Sequence, residues 1–153
     1  MSENRGSYEG YVIPDKRDTP EARILRRFVN SNNPKGLFVE EFVLSSGEVA
    51  DAICIETPSE DYAHIKGPVN LKASAEKYTL NTLARGKEGD TIWVIEVKDK
   101  GDLKHALGQV LVYAFLFRKG YPKYDVKKAI LCTEGRKDIE DLCKSLDIDV
   151  FIV

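Results

Sequence analysis

The run Thr91-Ile92-Trp93-Val94-Ile95-Glu96-Val97 constrains this chain more than any other segment. Residues two apart in a strand share a face, so Ile92, Val94 and Glu96 point one way and Trp93, Ile95 and Val97 the other. A strand that is apolar on both sides must be covered on both sides, which places it inside a sheet with helices above and below. The sequence supplies such helices. Thr19-Pro20-Glu21 reads as an N-cap, a first-turn proline and a first-turn acid opening a helix with Ile24, Leu25 and Phe28 on its apolar face. Asp102 caps a second helix, apolar nearly all round, that runs from Leu103 through Val110 to Phe117 and stops at Gly120 and Pro122. Ile139, Leu142, Cys143 and Leu146 stripe a third.

Further strands fall between and after these helices. Leu37 to Leu44 and Val49 to Ile55, joined by Ser45-Ser46-Gly47-Glu48, read as a hairpin. Lys128 to Cys132 and Val150 to Val153 complete the set. The expected fold is α/β, a mixed central sheet sandwiched between helices in one domain over residues 19–153. Residues 1–18 are expected to be a loose arm, and the polar stretch 57–90 an insertion holding a short helix or an extra hairpin.

Twenty-three basic residues against twenty-five acidic ones leave a net charge of −2, so any grip on a polyanion must come from a local patch. Cys54, Cys132 and Cys143 are too widely spaced for a zinc site or a disulfide framework and read as reduced thiols. The start Met1-Ser2-Glu3-Asn4-Arg5-Gly6 does not read as a signal peptide, and no run approaches the ~20 apolar residues of a membrane span. The expectation is a cytoplasmic protein.

The chemistry lies where the apolar strand ends. Glu96 and Lys98 share a face and emerge together as the strand leaves the core. Asp51 interrupts the equally apolar strand Val-Ala-Asp-Ala-Ile-Cys-Ile, and a carboxylate there is costly to desolvate without a cation. If the two strands are neighbours, the three side chains converge. Phosphodiester hydrolysis needs such a set: a cation to neutralise the phosphate, and groups to orient water and stabilise the leaving oxygen. Asp51, Glu96 and the carbonyl of Val97 can ligate Mg²⁺ or Mn²⁺, with waters filling the remaining positions, while Lys98 polarises the attacking water. Asp90, in the turn Lys87-Glu88-Gly89-Asp90, is a rival for the aspartate's role.

Asp51 on a hairpin, then Ile92-Trp93-Val94-Ile95-Glu96-Val97-Lys98, then the helix Ala106-Leu107-Gly108-Gln109-Val110-Leu111-Val112-Tyr113-Ala114, together resemble the PD-(D/E)XK nuclease superfamily. The likeness is to its RecB-like and archaeal junction-resolvase-like branches. It implies the restriction-endonuclease-like fold, with Asp51, Glu96 and Lys98 as catalytic residues. It also implies Gln109 as the glutamine of the helix after the catalytic strand, and Glu21 as the first-helix glutamate. Glu40 and Glu41 are expected to be solvent-facing, though one of them can stand in for Glu21.

His105, Gln109 and Tyr113 recur every four residues as a polar stripe able to face a scissile phosphate. With Lys100 and Lys104 they are the expected nucleic-acid contacts. No base-reading fingerprint is evident, so shape or ends of single-stranded, duplex or branched DNA are the expected targets. The expected activity is a Mg²⁺- or Mn²⁺-dependent deoxyribonuclease of repair, recombination, replication or defence, acting as a homodimer. The alternative is a catalytically inactive module of the same fold that binds nucleic acid or a protein partner.

Overall fold

A computed structural model describes residues 11–12, 19–30, 37–56, 80, 83–100 and 102–153. Most of the expected arm and most of the expected insertion lie outside the described residues.

The first helix, α1 (Pro20–Asn30), starts as its sequence dictates, with the Thr19 hydroxyl oxygen accepting the Ala22 amide at 3.1 Å. The hairpin comes next as β2 (Leu37–Val43) and β3 (Val49–Ile55), in register from Leu37↔Ile55 to Val43↔Val49. Gly47, at a φ of +93° that side chains disfavour, closes its turn. Ahead of α1, Tyr11–Val12 forms a two-residue strand, β1, parallel to β2, so the arm expected to be loose contributes an edge to the sheet.

Strand β4 (Thr91–Lys98) is antiparallel to β3, and β5 (Asp125–Cys132) and β6 (Ile148–Ile152) then add parallel to it. The sheet is mixed, in the order β1-β2-β3-β4-β5-β6. Between β4 and β5 runs α2 (Leu103–Gly120), whose N-cap Asp102 accepts the His105 amide at 3.1 Å. Between β5 and β6 runs α3 (Lys137–Ser145). Only Ile139 and Cys143 of the stripe expected there are buried; Leu142 and Leu146 face solvent.

Two cores flank the sheet, and β4 feeds both. Ile92 and Val94 join the α2 and α3 side with Leu107, Val110 and Phe117, while Trp93, Ile95 and Val97 join the α1 side with Leu25 and Phe28. The period of two in the sequence is therefore realised as two covered faces. Leu83, near the returning end of the insertion, is fully buried in the α2-side core, and its carbonyl accepts the Tyr124 hydroxyl. All three cysteines are buried and free. No helix among the described residues is long and apolar enough to cross a membrane.

The hairpin ladder is broken at one point. It pairs Glu40 with Ala52 and Phe42 with Ala50, but Glu41 and Asp51 between them drop out, and Glu41 adopts a φ of +52°. Leu37 and Val39 face the α2 core before the break, and Phe42 and Leu44 after it, so the strand changes the parity of its faces there. On β3, Ala52 faces the α1 core while Ala50 faces the α2 core. A non-glycine residue at positive φ inside a strand costs of order 1–3 kcal/mol and persists only where its surroundings impose it. That strain sits directly opposite Asp51.

Candidate active site

The last registered pair of β3 and β4 is Ala52↔Ile95, and the next step along both strands sets Asp51 against Glu96. There side chains replace the ladder. The Asp51 amide donates to Oε1 of Glu96 at 3.3 Å, and the Val97 amide donates to Oδ2 of Asp51 at 2.9 Å. Each carboxyl group is thus clipped to the backbone of the opposite strand, and two acids distant in sequence are locked side by side. Asp90 is not a rival. It sits just before β4, roughly 20 Å from Glu96 along the strand, with its carboxylate accepting the Lys87 amide at 2.7 Å.

Glu96 is only 2% exposed. Burial, then the negative charge of Asp51 and a hydrogen bond with its carboxyl group, push the Glu96 carboxyl from its ordinary 4.5 up to about 9, and Lys98 opposes this only weakly. Without a cation at this point Glu96 keeps a proton at neutral pH. Lys98, half-buried at the end of β4, lies on the same face of the strand as Glu96.

That face looks toward α2. The Tyr113 phenol is pushed up by burial and then by the charge on Glu96, with smaller contributions from Glu48 and Asp51, while the Gln109 side chain one turn earlier on the helix opposes the shift. His105, Gln109 and Tyr113, together with Lys104, line a cleft of about 520 Å³ whose far side carries Glu48. The structure thus sets Tyr113 of the α2 stripe within electrostatic reach of Glu96 and Asp51, and gathers the stripe with Glu48, a hairpin-turn residue that the sequence does not single out, in a cleft whose lining does not include the acid pair. The signal at Glu48 is weak, since an acid closing a hairpin is ordinary turn composition.

Other expected residues lie elsewhere. Glu21 is half-buried on the first turn of α1, the helix that covers the opposite face of the sheet from α2. Lys100 is exposed just beyond β4. Glu40, expected to face solvent, is fully buried on the α1 side, its Oε2 3.5 Å from a guanidinium nitrogen of Arg26. The alternating pattern of β2 points the right way for Phe38 and Val39, but no local signal marks Arg26 as the residue that joins Glu40 inside.

Among the described residues no group of three or more His, Cys, Asp or Glu side chains gathers to hold a metal. The Asp51–Glu96 pair fits a hard divalent cation nonetheless, because such an ion keeps several waters and needs only one or two carboxylates from the protein. A cation would also remove the repulsion that forces a proton onto Glu96.

No family model and no curated protein matches the chain. Solved structures do. A repair endonuclease from Pyrococcus abyssi superposes with a TM-score of 0.52 at 15% identity, over 91% of this chain and 48% of that one. EndoMS in complex with double-stranded DNA gives a TM-score of 0.53 at 14% identity, over 91% and 48%. The chain has the restriction-endonuclease-like fold. It spans about half the length of each of these structures. In this fold the hairpin and β4 are the elements that bring Asp51, Glu96 and Lys98 to one end of the sheet, with α2 packed above them.

Proposed function

We propose that this chain is a Mg²⁺- or Mn²⁺-dependent nuclease that hydrolyses phosphodiester bonds in DNA. One observation carries the reading: two carboxyl groups are clipped together where β3 and β4 cease to pair, at the cost of a buried, repelled Glu96. Burying like charges in contact costs stability unless a cation relieves it. The endonuclease names of the two similar structures, one of them bound to double-stranded DNA, support the same reading.

Asp51 and Glu96 would hold the ion, with the Val97 carbonyl as a further oxygen at the same strand end. The ion when bound supplies charge neutralisation at the phosphate and a more acidic water. Lys98 then orients the attacking water and balances the charge that develops on the phosphate. Tyr113, which feels the charge of the acid pair, offers a hydroxyl donor to a phosphate oxygen, with Gln109 beside it on the same helix face. Lys104 and His105 on α2, and Lys100 beyond β4, bind flanking phosphates, which makes binding salt-dependent.

Purified protein incubated with Mg²⁺ or Mn²⁺ and a panel of single-stranded, duplex, flapped and four-way DNA should cleave at least one member. Glu96→Ala and Lys98→Ala should each abolish that cleavage with circular dichroism unchanged. Binding of DNA with no cleavage of any substrate would leave a binding module and end the nuclease reading.

A further inference from the structure

The outward face of α2 carries more than the site uses. Lys104, Gly108, Val112, Phe115 and Lys119 recur at spacings of three and four and form a single exposed stripe along the helix. Val112 is 50% exposed and Phe115 59%, unusual for large apolar side chains on a helix whose other face already fills the core. The helix contains no acidic residue; its charged groups are Lys104 near the start and Arg118 and Lys119 in the last turn, with His105 beside the first. The stripe is continuous with the cleft, since Lys104, Gly108 and Val112 line both. At Gly108 a Cβ would meet nothing within 4 Å among the described residues, so the surface there is open to a chain lying against it. The acids that line the cleft are Glu48, on the hairpin turn, and Asp102, whose carboxylate is engaged in capping the His105 amide.

Building on the proposed nuclease reading, we propose that this stripe is a track for an unpaired DNA strand, with a base stacked on Phe115 and phosphates held by Lys104 at one end and Lys119 at the other. Charge chooses this occupant. Cations at both ends and no acid between them suit a polyanion, and two copies of the helix packed face to face would set like charges against one another. An exposed aromatic ring between cations adds little to a duplex backbone, whereas base stacking on aromatic side chains is what sequence-tolerant single-strand binding uses. The helix is about 27 Å long, enough to span several nucleotides. The substrate class is then DNA with an unpaired segment beside the cut.

The test is binding by the full chain in EDTA, where cleavage cannot interfere, to a fluorescein-labelled twelve-nucleotide oligo(dT) and to a blunt duplex of equal length. Phe115→Ala should weaken oligo(dT) binding roughly five- to hundred-fold and leave duplex binding nearly unchanged. Phe115→Trp should restore it, and the new exposed indole should be quenched by oligo(dT); the native Trp93 is buried and supplies the unquenched background. Wild-type protein that fails to bind oligo(dT), or Phe115→Ala that binds it as well as wild type, overturns the proposal. So does a shift from dimer to monomer in Phe115→Ala by sedimentation, which would make the stripe a protein interface. The two readings fail separately: Phe115-dependent binding without cleavage of any substrate sinks the nuclease, and duplex cleavage without Phe115-dependent binding sinks the track.

Discussion

Two glutamates are buried in the same sheet, one on each face, and their surroundings are opposite. Glu40, on the α1 face, has the Arg26 guanidinium at 3.5 Å. Glu96, on the α2 face, has the carboxyl group of Asp51. The first is a buried charge with its counter-charge, an arrangement that contributes little net stability but is costly to break. The second is a buried acid set against another acid, so that without a cation it keeps its proton, and the fold holds the pair with two backbone clips opposite a strained Glu41. Burial alone does not mark a functional acid; the sign of its nearest neighbour does.

The largest effect that would separate the two is catalytic. Glu96→Ala and Lys98→Ala should each lower the cleavage rate by a hundred-fold or more, while Glu40→Gln, assayed where it is folded, should keep cleavage within about ten-fold of wild type. A comparable loss in all three would mean that the α1 face takes part in the reaction. Next comes stability, with opposite signs. Glu40→Ala strands Arg26, whose buried Nε already has no hydrogen-bond partner among the described residues, and should cost about 2–3 kcal/mol, roughly 5–10 °C in Tm. Glu96→Gln in EDTA at pH 8 should raise Tm instead; a fall would show that the Glu96 charge is already compensated.

The pH dependence has its origin in the same contrast. Folded Glu96 keeps its proton up to about 9, whereas the unfolded chain releases it near 4.5. Folding therefore takes up a proton between these values, and the stability that depends on it is complete below about 4.5 and lost as pH rises toward 9. Thermal melts of the metal-free protein should decline across that window, and those of Glu96→Gln should be flatter. The smallest effect is a Tm rise of a few degrees on adding Mn²⁺ at pH 8, present in wild type and Glu40→Gln and absent in Glu96→Gln. Equal rises in all three would place the ion elsewhere.

Much of the site is legible in the sequence because it is local. The alternation through Thr91–Val97 sets Glu96 and Lys98 on one face of a doubly covered strand, since side chains in a strand alternate with a period of two. Asp102 and Thr19 announce their helices because a helix start leaves amide donors that a nearby side-chain oxygen satisfies. His105, Gln109 and Tyr113 share a helix face by spacing alone.

What the sequence could not determine depends on groups far apart along the chain. That Asp51 lies against Glu96, across the stretch 57–90, was decided by the pairing of β3 with β4, whose register no local propensity encodes. The burial of Glu40 was decided by α1 bringing Arg26 over it, and the turn acid Glu48 became part of a cleft only because α2 packs beside the hairpin. Sequence settled which way side chains face where the period of a strand or helix runs unbroken, as through β4; the change of parity at Glu41 and the burial of Glu40 were tertiary outcomes. Tertiary structure settled what each side chain meets: a guanidinium for Glu40, and a second carboxyl group for Glu96.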